Sequence, residues 1–158
     1  MTSRAHEKKA ELVEELAQQV QARLPAAEAP LVEAFLRRYW RDVALADLAE
    51  REPSDLYGTA LSHFRFGQQR RPGETRIRAY NPDIEQHGWR STHTVVEIVT
   101  DDMPFLVDSV GMELNRHGLG MHLIVHPVLR VRRDADGRIA AAGTEAGDDA
   151  RPDSFMHF

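Results

Sequence analysis

Asp101 and Asp102 are adjacent carboxylates, flanked by the β-branched run TVVEIVT at residues 94–100 and by Met103, Pro104 and Phe105. Paired carboxylates can hold a divalent cation or share acid–base work. No histidine stands at helical spacing from either one to complete a hydrolytic metal motif. The neighbours favour a different use. A proline followed by Leu106, Val107 and further apolar residues at helical spacing predicts a helix over residues 104–117. Asp101 or Asp102 would then accept hydrogen bonds from the free N–H groups of its first turn, at the positive end of the helix dipole. On this reading Asp102, nearer the helix, is structural, and Asp101 is the better placed to meet a ligand or partner.

The other candidates for chemistry are weaker. His122 and His126 would share a strand face about 13 Å apart, too far to hold one zinc ion at about 2 Å from each nitrogen. With His117 they read as polar surface. HGLGMHL at residues 117–123 follows a helix and precedes a strand, the reverse of a dinucleotide fingerprint, and lacks the third glycine. Ser109 lies in VDSVG, which lacks the first glycine of a nucleophile elbow. Arg70, Arg71, Arg76 and Arg78 offer a phosphate or carboxylate clamp, but clustered surface arginines usually remain solvated. Lysine occurs only at Lys8 and Lys9, against eighteen arginines, so a desolvated catalytic amine has poor ground to form.

The elements that position these residues follow from apolar period. Leu12, Val13, Leu16, Ala17, Val20 and Leu24 form one helical stripe, stopped by Pro25. Pro30 opens a second, with Leu31, Val32, Phe35, Leu36 and Tyr39. A short piece over residues 45–50 follows. Pro53 then opens a helix with Leu56, Tyr57, Ala60, Leu61 and Phe64 on one face. After the RRPGE turn the period becomes two. Residues 75–80 read as an edge strand, to lie antiparallel beside residues 94–100. Gly118 suits a left-handed helix end. Residues 121–132 read as a strand bent at His126–Pro127, and DADG at 134–137 as a hairpin turn returning along residues 138–142. The acidic stretch after it reads as mobile, and SFMHF as the start of a strand.

Composition bounds the rest. A chain of 158 residues, 42% hydrophobic and 28% charged, makes one ordinary domain or a small domain with a helical appendage. Its net charge of −5 argues against a nucleic-acid or anionic-membrane partner. There is no cysteine, the N-terminal stretch is charged throughout, and no window reaches the roughly 18 apolar residues of a membrane helix. The expectation is a cytoplasmic protein of α+β class. Residues 1–71 form a helical region and residues 72–158 a sheet-and-helix unit.

HTVVEIVTDDMPFLVDSV, MELNRHGL and HPVLRVRRD resemble the N-terminal region of the very large bacterial NAD-specific glutamate dehydrogenases. DLYG and QQRRPGE extend the likeness upstream. The resemblance implies a regulatory segment carrying ACT-like modules, far upstream of a catalytic domain that oxidises L-glutamate to 2-oxoglutarate and ammonium with NAD. No catalytic or dinucleotide-binding motif of that family has a counterpart here. The chain by itself is therefore expected to be non-catalytic and to hold no cofactor, with NAD belonging to the parent.

An ACT module is a βαββαβ, ferredoxin-like unit whose strand-to-helix turn commonly forms an amino-acid site, often between paired modules. Asp102, Pro104, Leu106 and Val107 resemble that turn, making Asp101, Asp102, Met103, Pro104 and Phe105 the candidate ligand or interface segment. Phe105 departs from the pattern, since ligand-binding modules often have glycine there, which lets a ligand approach the helix end. Only part of the unit is present, so the sheet is expected to be truncated, with an edge open to pairing and its central position filled at best by residues 154–158. Two roles stay open: a sensor of a small amino acid, or a module that holds the remainder of the parent chain and its subunits together.

Overall fold

The computed structural model describes residues 2–158. Four helices lead the chain: α1 (Thr2–Arg23), α2 (Ala29–Trp40), α3 (Leu45–Ala49) and α4 (Pro53–Gly67). Pro30 and Pro53 sit in the first turns of α2 and α4, where the missing N–H costs nothing. The predicted stripes point inward. Leu16, Val20, Val32, Phe35, Leu36, Tyr39, Leu56 and Phe64 are all buried in one cluster.

The remainder is β1 (Arg76–Tyr80), α5 (Ile84–His87), β2 (Val95–Asp101), α6 (Leu106–Arg116), β3 (Val128–Arg133), β4 (Ile139–Ala142), a 3-10 turn at Gly143–Ala146, and β5 (Arg151–His157). The strands form one sheet in the order β1-β2-β5-β3-β4, with every pairing antiparallel. The fold is α+β. β1 lies beside β2 as expected, with Ile77 opposite Ile98. β5 takes the central position, starts at Arg151 rather than Ser154, and bridges β2 to β3. The edge strands are therefore β1 and β4, and the start of β4 is met on its outer side by Gln68 and Gln69.

Two boundaries differ from the sequence reading. The strand expected over residues 121–132 begins only at Val128. Pro127 cannot donate, although its carbonyl accepts from Phe155 N (3.1 Å), and before it Val125 forms just an isolated bridge with His157. The acidic stretch is also tied down, since Ala146 and Ala150 are buried.

The period of two divides β2 between the faces of the sheet. Val95, Glu97 and Val99 face the helices, and Val99 and Phe155 join the helical core, where Phe35 meets Phe155 at 4.9 Å and Phe64 at 5.2 Å. Ile98, Met156 and Phe158 face the other way, against Val107, Val110 and Leu114 of α6. Gly118, at φ +72, ends α6 as expected, with Leu119 N donating to Leu114 O at 3.1 Å. Gly137, at φ +82, lies so close to Arg70 that a Cβ there would stand 2.5 Å from its carbonyl oxygen. Among the described residues no helix is long and apolar enough to cross a membrane.

Candidate ligand or interface turn

The turn after β2 is built differently from the helix entry expected. α6 starts at Leu106, and its N-cap is Phe105, which has no side-chain cap bond. Phe105 sits in the left-handed region at φ 66, ψ 16, a conformation that costs a non-glycine residue of order 1–2 kcal/mol. That kink displaces the aspartates from the N-cap, so neither caps the helix, and Pro104 lies in the turn before it. Asp102 donates its backbone N–H to Pro152 O (3.1 Å) and leaves its side chain exposed. Met103 is half exposed, and the Phe105 ring is 77% exposed.

Asp101 is the pinned carboxylate. Its Oδ1 accepts from Arg70 Nη2 at 2.8 Å, and the same nitrogen donates to Asp153 Oδ1 at 2.7 Å. Arg70 and Asp153 are buried, whereas the Asp101 side chain is 54% exposed. Arg133 Nη2 donates to the other Asp153 oxygen (2.7 Å) and to Gly67 O at the end of α4 (2.9 Å), a cation at a helix C-terminus. Two arginines and two aspartates thus tie the end of α4, the DADG turn and the end of β2 together beneath the candidate turn. Burial works against the Arg70 charge, and the two carboxylates more than offset it.

The arginines expected on the solvated surface divide. Arg70 is buried in this cluster. Arg78, half-buried over the Phe66 ring, donates to Glu97 Oε2 at 3.1 Å. Period-two pairing gives the reason: Arg78 is opposite Glu97, on the face the helices cover.

Glu97 itself was missed, although a glutamate between Val95 and Val99 on the inward face of the best strand signals a buried charge. It is fully buried and also accepts from Tyr80 OH, while Tyr39 OH and His63 Nδ1 meet nearby at 2.9 Å. Burial pushes the Glu97 carboxyl above its ordinary range, against the pull of Tyr80 and Arg78, and holds His63 well below that of a free histidine.

The histidines considered together go to separate partners. His117 meets Glu113, His122 stacks on His93 at 4.1 Å, and His126 bonds Ser154. Ser109 lies exposed on α6. Chemically, the candidate turn offers a half-exposed carboxylate, Asp101, held by a buried arginine, four positions before an exposed, strained aromatic, Phe105.

A family model described as glutamate dehydrogenase, ACT1 domain, matches residues 35–158. The chain is 42% identical over 144 residues to an NAD-specific glutamate dehydrogenase of Halomonas elongata, covering 91% of this chain and 9% of that protein. It is 43% identical over 131 residues to an NAD-specific glutamate dehydrogenase of Pseudomonas aeruginosa, covering 81% of this chain and 8% of that protein. It therefore spans under a tenth of the length of these relatives. No solved structure matches. With a match that runs from α2 through β5, the chain belongs to the glutamate dehydrogenase ACT1 domain family.

Proposed function

We propose that the chain is an N-terminal regulatory and assembly segment of a large cytoplasmic NAD-dependent glutamate dehydrogenase, non-catalytic by itself. The parent would convert L-glutamate and NAD to 2-oxoglutarate, ammonium and NADH, the reaction implied by the relatives' name. Within it, the ACT-like unit works by packing against the remainder of the parent chain and neighbouring subunits. The observation that carries this reading is Phe105. A phenyl ring is held out to solvent, in a backbone conformation that glycine would adopt freely, at the turn where an ACT ligand would approach. Exposed Met112, further along α6, extends the apolar surface.

A second reading keeps the turn as a sensor of a small amino acid, shifting the parent between states. Asp101 favours it, because Arg70 holds a half-exposed carboxylate in place there. A thermal-shift panel of the protein amino acids on this chain and on Phe105→Gly separates the two. Ligand at a hundred times its Kd adds about 2.7 kcal/mol. Packing predicts no stabilisation of the unaltered chain by any amino acid, and a self-association or parent-fragment contact that Phe105→Asp weakens in light scattering. Stabilisation of the unaltered chain by one amino acid, abolished by Asp101→Ala, establishes the sensor instead.

A further inference from the structure

Among the described residues seven large hydrophobic side chains stand exposed, and three of them fall in one line: Phe105, Met112 and Leu119, each more than half exposed. Seven residues are close to two helical turns, so the three follow one another along the outer side of α6 and its two ends. The inner side of α6 is already engaged, since Val107, Val110 and Leu114 pack against Ile98, Met156 and Phe158.

The charges beside this line are ordered. Asp108 and Arg116 are exposed and lie four residues either side of Met112, on one i±4 ridge of the helix. The ridge is therefore acidic toward its N-terminal end, apolar in the middle and basic toward its C-terminal end. Phe105 and Leu119 stand beyond, seven residues either side of Met112. Turned end for end, this face presents its own complement. Arg116 donates from Nε and Nη2 to Glu113 of the same helix, at 3.0 and 2.7 Å, leaving Nη1 without a bond among the described residues. Asp108 has no ion-pair partner among them.

We infer that the outer face of α6 docks a second copy of this chain, antiparallel about a two-fold axis at Met112. Asp108 of each copy then meets Arg116 of the other, Met112 meets Met112, and Phe105 meets Leu119, an isologous contact. Parallel pairing would set Asp108 against Asp108 and Arg116 against Arg116, so the charges select the antiparallel orientation. α6 has 11 residues, a length of about 16 Å. Such a contact falls short of the roughly 800 Å² per partner of a standard interface, so the isolated pair is weak. The pairing rests on the packing role proposed above and names its partner.

Sedimentation equilibrium of the intact 158-residue chain over roughly 10 µM to 1 mM reads the association. The expected result is a reversible monomer–dimer equilibrium. Asp108→Arg and Arg116→Asp should each weaken it about tenfold or more, because each opposes like charges at both ends of the pair. The two variants mixed should associate with one another, since one then carries two arginines and the other two aspartates. The double variant Asp108→Arg/Arg116→Asp should recover the dimer. Met112→Glu, which leaves the Glu113–Arg116 pair in place, should abolish the dimer with the far-ultraviolet circular dichroism unchanged. A monomer at every concentration, a dimer indifferent to Met112→Glu, or charge variants that fail to associate when mixed would each overturn the α6 pairing. A dimer abolished by Ile77→Lys and kept by Met112→Glu would overturn it too, placing the contact at β1. A monomer that still binds another fragment of the parent through Phe105 overturns the pairing and leaves the packing role standing, whereas stabilisation by an amino acid sinks that role itself.

Discussion

The two faces of the sheet are covered to different degrees, and the difference separates what holds the fold from what is available to a partner. On the helical face, Val99 and Phe155 are sealed under α2 and α4, and even the charges are enclosed, Glu97 by Arg78 and Tyr80, Asp153 by Arg70 and Arg133. On the other face of the five-stranded sheet a single helix, α6, packs against β2 and β5. Val96, Val107, Val110 and Leu114 are only partly buried there, and Ile77 on β1 is 63% exposed. One helix is about 10 Å wide, against neighbouring strands spaced about 4.8 Å apart, so it cannot cover the sheet. Stability should therefore reside on the helical face and association on the α6 face.

The sharpest way to break this contrast is to truncate matched residues. Phe155→Ala removes a ring packed against Phe35 and His63 and should cost about 3–5 kcal/mol in urea unfolding. Met112→Ala, on the exposed side of α6, should stay within about 0.5 kcal/mol. Comparable losses would show that α6 is as essential to the fold as the helices.

The ionic cluster sharpens it within one network. Asp153→Ala strips Arg133 of its carboxylate and leaves buried Arg70 only the half-exposed Asp101, and should cost about 3–5 kcal/mol. Asp101→Ala removes a half-exposed partner while Asp153 still holds Arg70, and should cost about 0–1 kcal/mol. Chemical unfolding of both variants tests that order.

Titration extends the contrast, since His63 and His157 are both buried on the helical side. Burial, with the Arg51 charge adding to it, lowers His157 to about 4. Below about pH 6.5 the unfolded chain takes up protons that folded His157 refuses, so stability falls as pH falls from there to about 4. Each such group contributes at most about 1.4 kcal/mol per pH unit. Glu97 acts in the opposite sense. Its folded carboxyl is raised, so stability falls as pH climbs from the unfolded value through the folded one. With His126 also lowered by burial, three histidines against Glu97 give a net loss on acidification, which His157→Gln should flatten when unfolding is followed from about pH 6.5 to 4.5.

The smallest effect has the opposite sign. Phe105→Gly relieves a left-handed backbone and should stabilise the chain by up to about 1 kcal/mol, despite the added freedom of glycine in the unfolded state. A loss in thermal unfolding would mean that the Phe105 ring is packed rather than presented.

Much of this architecture was readable before the structure. Apolar periods locate the helical stripes, and adjacency in sequence puts β1 antiparallel beside β2, while the register, Ile77 opposite Ile98, comes from the structure. What remained hidden was of two kinds. Phe105 in the left-handed region obeys no residue preference, so local pattern starts the helix at Pro104 with an aspartate cap, whereas it starts at Leu106 with neither aspartate as its cap. Arg70 finds Asp101 and Asp153 across 31 and 83 residues, and local pattern specifies the face a side chain takes without naming its distant partner. Glu97 was legible in principle, because its inward position follows from the same alternation that identified the strand.

The central place of β5 has a consequence for synthesis. The strand that joins β2 to β3 is the last of the five to be made. Until Arg151–His157 has left the ribosome, β2 can pair only with β1, and β3 only with β4. At about 5–20 residues per second, the two half-sheets wait with hydrophobic inner edges unpaired for a second or more. In that interval α6, already tethered to β2, is the element on hand to shelter Ile98 until Met156 arrives beside it.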